Sequence, residues 1–186
     1  MKKIFLLLLL IFSFHWASTQ AQKYMTRNGY IGFYSHTPLE DIKADNNQVA
    51  SILDAGTGEI AFQVLIRSFI FPKALMQEHF NENYMESDKF PRSAFSGKIT
   101  DYQKIDFRKN GTWEILVEGD LTIHNVTKRI SVKGTLETEQ EKIKASAKFN
   151  ISPEDYNIKI PSVVRNNIAK SIEVTVQMNY TLVETR

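Results

Sequence analysis

Along much of this chain apolar and polar residues alternate one for one. From 112 to 123 the odd positions read Trp113, Ile115, Val117, Gly119, Leu121 and Ile123, while most even ones are Thr, Glu or Asp. A period of two puts successive side chains on opposite faces, so the segment reads as a strand with one buried face. The same period recurs at Ile130, Val132, Gly134 and Leu136, at Ile143, Ala145, Ala147, Phe149 and Ile151, and at Ile172, Val174, Val176, Met178, Tyr180 and Leu182. Upstream, Ile60, Phe62, Val64 and Ile66 form a similar face, and 30–34, 49–53 and 94–99 are further strand candidates. The count is about eight strands. Gly56-Thr57-Gly58 and Asn110-Gly111 read as hairpin turns. Clean alternation with short connections predicts antiparallel pairing, because parallel strands need long crossovers and read as continuous apolar runs.

One segment breaks the alternation. Residues 73–85 follow Pro72, contain no β-branched residue, and place Met76, Phe80 and Tyr84 at i, i+4 and i+8, the spacing of a helix face. A further helical turn or loop is expected within 162–170. The predicted fold is therefore mainly β: a single antiparallel barrel of about eight strands with one helix near residues 73–85.

A barrel of this strand number has room inside for side chains or for one small ligand. Gly119, Gly134, Ala145 and Ala147 fall on the inferred inner face and leave space there. Trp113, Phe149 and Phe62 can fill that space from across the barrel, so the pattern alone leaves both a hollow and a packed interior open. A hollow one would be apolar, since few charged residues fall on the inner face. A hydrocarbon ligand would then gain roughly 0.8 kcal/mol per buried methylene without any charged contact.

The N-terminus changes where such a barrel would work. Met1-Lys2-Lys3 is a short basic start, and 4–14 is apolar except for Ser13, too short to span a bilayer. Thr19-Gln20-Ala21 places small residues where signal peptidase reads, so 1–21 is expected to be a removable secretory signal and 22–186 the mature domain. Removing Lys2 and Lys3 leaves 21 basic against 21 acidic residues. A mature protein near neutrality offers no electrostatic case for nucleic acid. The chain has no cysteine, which excludes disulfides, thiol chemistry and a lipid-modified N-terminal cysteine.

Candidate chemistry is sparse. His36, His79 and His124 supply enough imidazoles for zinc, but their spacing matches no ligand motif, and no metal is expected. There is no Gly-x-Ser-x-Gly elbow, no His-Glu-x-x-His and no phosphate loop, so no catalytic residue is assigned and the chain is read as a non-enzyme. Glu78 with Glu82, and Glu154 with Asp155, read as solvated charge. Lys128, Arg129, Lys133, Lys142, Lys144 and Lys148 share the polar faces of consecutive strands. They form either a stripe for anionic headgroups or a solvated surface balanced by Glu137, Glu139 and Glu141, and the second reading is favoured.

Two stretches carry a resemblance. Residues 75–91 run from Leu75 through His79, Phe80 and Tyr84 to Phe90-Pro91, and are followed by Phe95-Ser96-Gly97-Lys98-Ile99. Residues 118–128 include Gly119, Leu121, Thr122, His124, Val126, Thr127 and Lys128. Together they resemble the YceI-like family, in which a helical His precedes a Phe-Pro or Tyr-Pro segment and a Gly-x-Leu-Thr signature follows. Asn125 stands where that signature has Gly, and the segment 30–40 lacks the family's usual N-terminal element. The resemblance implies a lipocalin-like barrel, commonly periplasmic, associated with polyisoprenoid, related lipid or quinone ligands.

The expected function is thus a soluble exported carrier, periplasmic or secreted, for an apolar lipid of isoprenoid or quinone type. Met76, Phe80 and Tyr84 are expected to cover or line one end of its cavity, with Trp113, Val117, Leu121, Val132, Phe149, Val174 and Met178 along the wall. No cofactor, nucleic acid or stable membrane span is expected, and a homodimer stays open. The alternative is a cell-envelope interaction module with a packed barrel, whose helix and Phe90-Pro91 loop dock a protein.

Overall fold

The computed structural model describes residues 22–140 and 142–183; the signal predicted at 1–21 lies outside them, as does Glu141. Eight strands follow one another: β1 (Lys23–His36), β2 (Asp41–Asp54), β3 (Glu59–Leu65), β4 (Arg92–Ile99), β5 (Gly111–Ile123), β6 (Val126–Glu139), β7 (Lys142–Ile151) and β8 (Ile172–Leu182). Each pairs antiparallel with its sequence neighbour, and β1 pairs with β8, so the sheet is a closed barrel. Closure removes the exposed edges that an open sheet of this size would present.

Two strands run well beyond their predicted spans. In β1 the register shifts between Thr26 and Gly29 and again before Ile31, which breaks the strict alternation. In β2 the buried set includes Asn46 and Ser51. Both are satisfied: Asn46 Nδ2 donates to the Leu65 carbonyl at 3.0 Å, and Ser51 Oγ donates to the Ala61 carbonyl at 2.8 Å. Bonded polar groups are tolerated inside but hide a strand from a hydropathy pattern.

The turns divide similarly. Gly56-Thr57-Gly58 joins β2 to β3, with Asp54 Oδ1 accepting the Gly56 amide at 2.9 Å and Gly58 at φ 75°. Asn110-Gly111, in contrast, is no hairpin turn. A long connection with a 3₁₀ turn at Tyr102–Lys104 separates β4 from β5, and Gly111 simply opens β5. A tight hairpin does form at His124-Asn125 between β5 and β6, with φ of 49° and 60°. Positive φ at both central residues suits the right-handed twist of a two-residue hairpin, and Asn tolerates that region well.

The predicted helix is present in two forms. α1 (Ala74–His79) is α-helical, and Phe80–Tyr84 continues it as a π-helical turn closed by the Met85 amide on the Phe80 carbonyl at 2.8 Å. Between β7 and β8 lie 3₁₀ turns at Pro153–Tyr156 and Ser162–Val164, the second within the expected 162–170.

Connections alternate between the two ends of the barrel, and the ends differ. One end is filled: Tyr24, Leu53, Ile99, Ile105, Phe107, Leu136, Ile143 and Tyr180 are all buried, with Ile105 and Phe107 brought in by the β4–β5 connection. Each such side chain contributes roughly 1.5–3 kcal/mol on leaving water. The other end carries α1, the π turn and the β7–β8 connection.

Candidate ligand-binding cavity

Above the filled end the barrel is hollow. The cavity measures about 530 Å³ and is walled by inward side chains of every strand. The two readings left open by the sequence therefore each hold for part of the barrel.

Small residues set where the space begins. On β6 and β7, Gly134, Ala145 and Ala147 face it, and Ile130, Val132, Phe149 and Ile151 continue the wall upward. Gly119 serves differently. It lies opposite Gly97 in the β4–β5 ladder, and the Phe95 ring covers both: a Cβ at Gly119 would approach the Ser96 carbonyl to 2.4 Å and the Phe95 ring to 2.6 Å. The glycine pair seats an aromatic ring flat against the sheet, and Phe95 in turn packs edge-on to Phe62 at 5.9 Å.

Met76, Phe80, Tyr84, Val117, Leu121, Val132, Phe149, Val174 and Met178 lie along this cavity. Trp113 does not. It is on the inner face but one strand-end too low, opposite Leu136, with its ring over Gly111 in the packed end. Periodicity gives the face of a residue and says nothing of its height along the barrel.

The upper end has two kinds of boundary. Phe33, Phe69, Phe71 and Phe80 form an aromatic cluster with centroid separations of 5.0–5.8 Å, roofing part of the cavity. Beside it the wall turns polar. Asn167 Nδ2 donates to Glu40 Oε2 at 3.1 Å, and Lys73 Nζ lies 4.0 Å from Glu40 Oε1. Glu40, Lys73 and Asn167 all border the cavity, as does Leu75, and Leu75 is 61% exposed, so the cavity reaches the surface here. Burial, with Glu40 nearby as the lesser cause, raises the Tyr84 phenol above its ordinary pKa and keeps it neutral.

The motif residues gather elsewhere. His124, in the β5–β6 turn, presents Nδ1 to the Tyr156 carbonyl at 3.3 Å and Nε2 to Glu86 Oε2 at 3.2 Å, while the Phe90 ring packs edge-on against it at 4.4 Å. Both ring nitrogens are therefore engaged. Lys89 first, and His124 after it, hold the Glu86 carboxyl below its usual range. The Pro91 carbonyl accepts the Ile66 amide at 3.0 Å, Thr122 and Thr127 share a hydroxyl bond at 2.8 Å across the hairpin, and Lys128 pairs with Asp155 at 3.6 Å. Val126 packs into the small cluster of Ile66, Met85, Tyr156 and Ile158. These residues form a clasp joining three rim segments, whereas His79, Phe95 and Leu121 border the cavity itself.

The three histidines stand on separate elements, and among the described residues no group of three or more His, Cys, Asp or Glu side chains could hold a metal ion. His36 pairs with Asp41 at 2.6 Å on the surface. Within the basic stripe, Arg129 lies 3.8 Å from Glu118 and 3.7 Å from Asp120, and Lys148 3.0 Å from Glu173, as befits a solvated surface. Among the described residues no helix is long and apolar enough to cross a membrane.

The family model of the YceI-like domain matches residues 23–180. The chain belongs to the YceI-like family. Three solved structures share the YceI-like barrel. A polyisoprenoid-binding domain from Saccharophagus degradans aligns with a TM-score of 0.77 at 11% identity, over 88% of this chain and all of that one. BcnA from Burkholderia cenocepacia aligns at 0.68 and 12% identity over 82% and 96%, and a YceI protein from Campylobacter jejuni at 0.62 and 16% over 81% and 90%. At these identities the likeness is one of fold. No curated protein matches the chain closely enough to add to this.

Proposed function

We propose that this YceI-like protein is a soluble carrier for an isoprenoid or quinone-type lipid, exported to the periplasm or beyond by its N-terminal signal. The observation that carries the reading is the cavity: about 530 Å³, lined mainly by aliphatic and aromatic side chains, with its charged groups Glu40 and Lys73 at the mouth. At about 30 Å³ per water-sized group, it holds on the order of 18 methylene-sized groups. Their transfer from water is worth roughly 14 kcal/mol, which against association costs that start at about 4 kcal/mol leaves up to about 10 kcal/mol for binding without a charged contact. The polar end of such a lipid belongs at Glu40, Lys73 and Asn167, where the wall offers both donors and an acceptor. The fold it shares with a polyisoprenoid-binding domain supports the same ligand class.

Organic extraction of the purified protein, followed by mass spectrometry, tests the reading. A prenyl lipid or quinone in stoichiometric amount is expected. A clean extract, together with no binding of added prenyl alcohols, would overturn it and favour a docking module that uses the rim.

A further inference from the structure

The loops at the two barrel ends treat their apolar residues in opposite ways. At the packed end the β4–β5 connection tucks Ile105 and Phe107 into the core. At the mouth end apolar side chains stay in water: Leu39 in the β1–β2 turn is 68% exposed, Leu75 on α1 61%, and Val163 in the β7–β8 connection 88%. Ile70, on the segment leading to α1, is also 61% exposed, whereas the most exposed large apolar residues on the strands, Ile52 and Leu65, reach only 41%.

Single exposed apolar residues are ordinary on a protein surface. These are gathered. Glu40 accepts from Asn167 at 3.1 Å and lies 4.0 Å from Lys73, which ties the three segments together. Leu39 precedes Glu40 directly, Leu75 follows Lys73 by two residues, and Val163 precedes Asn167 by four. A second bond, from the Ala169 amide to the Ser35 hydroxyl at 2.9 Å, holds the β7–β8 connection against β1, and the Glu40 amide braces the turn beside Leu39 by donating to Thr37 Oγ1 at 3.0 Å. The three side chains therefore rim one opening on braced backbone.

Charge completes the pattern. From Asn157 to Ser171 the connection carries Lys159, Arg165 and Lys170 and no acid. All three are exposed, and none has an ion-pair partner among the described residues, whereas Lys128, Arg129 and Lys148 on the barrel wall are each paired. Of the acids at this end, Glu40 is engaged by Asn167 and Lys73, and Asp41 by His36. Glu78 and Glu82 stand exposed farther along α1 and the π turn, so the cationic side of the mouth is the β7–β8 connection.

Resting on the carrier reading, we propose that the mouth rim docks on an anionic bilayer, with Leu39, Leu75 and Val163 entering the headgroup layer and Lys159, Arg165 and Lys170 lying against lipid phosphates. Apolar side chains flanked by unpaired cations are the combination by which a surface segment binds such an interface. A neutral bilayer would leave the three cations without counter-charge. Docked this way round, the mouth faces the membrane, and a poorly soluble lipid passes between bilayer and cavity without crossing water.

Co-sedimentation with phosphatidylcholine vesicles, with and without phosphatidylglycerol and free of prenyl lipid, tests the docking apart from cavity filling. Binding is expected to the anionic vesicles, more weakly to the neutral ones, and is largely lost at about 1 M salt, where the Debye length is about 3 Å. Each cation near an anionic surface is worth about fivefold in affinity, so Lys159→Gln/Arg165→Gln/Lys170→Gln should bind anionic vesicles at least tenfold more weakly. Leu39→Ser/Val163→Ser should lose a similar factor with an unchanged melting temperature. Neither residue lines the cavity, so this variant should bind a dansyl-labelled farnesyl probe in solution within twofold of the parent while drawing it from anionic vesicles at least fivefold more slowly. No binding to anionic vesicles, or binding that both variants retain, would overturn the docking and leave the carrier reading standing. A vesicle-free dimer that Leu39→Ser/Val163→Ser dissociates would make the rim a contact between copies and would equally sink the proposal. Failure of the parent to bind the probe in solution would instead overturn the carrier reading on which the docking rests.

Discussion

Filling the cavity from its own wall should abolish lipid binding while leaving the barrel intact. Ala147 is the most suitable position: its side chain faces the cavity on a strand paired on both sides at that point, to Gly134 and to Val176. Ala147→Phe adds six carbons. At about 30 Å³ per water-sized group these occupy roughly 180 Å³, about a third of the cavity. Displacing about six ligand groups at about 0.8 kcal/mol each removes up to about 5 kcal/mol of transfer free energy. A chain that slides along the cavity recovers part of this, so the expected loss is between tenfold and three decades in Kd. The ring enters open space rather than an already packed core, so the overpacking cost usual for such changes is avoided, and the melting temperature should hold or rise. Fluorescence titration with a dansyl-labelled farnesyl probe, alongside thermal melting, reads both quantities. Affinity within twofold of the parent, with unchanged stability, would refute a ligand seated in this cavity.

The remaining predictions concern the packed end and the outer face. Ser51 has a single hydroxyl proton, and the Ala61 carbonyl can only accept it, so Tyr180 must be the donor in its 2.7 Å bond to Ser51 Oγ. Ser51→Ala then strands a buried phenol at about 1–3 kcal/mol, whereas Tyr180→Phe costs about 0.5–1.5 kcal/mol. At about 2–4 °C per kcal/mol the order of the two melting temperatures is measurable, and the reverse order would refute the donor assignment. On the outer face, the hydrogen bond from Tyr30 to Asp45 Oδ1 at 2.6 Å, with burial as the lesser cause, pushes the Tyr30 phenol from 10.0 up to about 12. The folded state thus retains a proton that the unfolded state loses. Stability is intact below pH 10 and declines as pH rises from 10 to about 12. Urea melts across that range should show a shallower decline for Tyr30→Phe, and an identical slope would contradict the linkage.

Much of the architecture was legible because alternation is a direct image of the pleat. Strands with one apolar face, such as β5 through β8, announce themselves residue by residue. β1 and β2 were legible only in part, since a register shift near Gly29 and the buried, bonded Asn46 and Ser51 interrupt the pattern without interrupting the strand. The inner face was legible on the same terms, which is why Val117, Leu121, Val132 and Phe149 lie along one cavity. Height was not, as Trp113 shows. Nor was the use of the motif: Gly119 in the sequence suggests empty space, but its neighbour across the ladder is Gly97, and Phe95 takes up the room. The mouth was hidden for a further reason. Glu40, Lys73 and Asn167 are far apart in sequence and meet only because the β1–β2 turn, the start of α1 and the β7–β8 connection share one end of the barrel. The short extent of the β6–β7 pairing was hidden too, since which residues of neighbouring strands pair is contained in no single strand's pattern.

The closure between β1 and β8 also orders events in time. Tyr24 pairs with Leu182, so the first strand finds its second neighbour only when the last strand has been made. A chain produced N-terminus first can build the meander β1 to β7 progressively, each strand waiting only for the next. It cannot complete the ring, or bury Tyr180 beneath the floor, until residues 172–182 arrive. Contacts of such long sequence separation fold slowly. The half-finished sheet, open along both β1 and β7, is then the species most exposed to wrong pairing and to proteases, and the arrival of β8 ends that exposure in a single step.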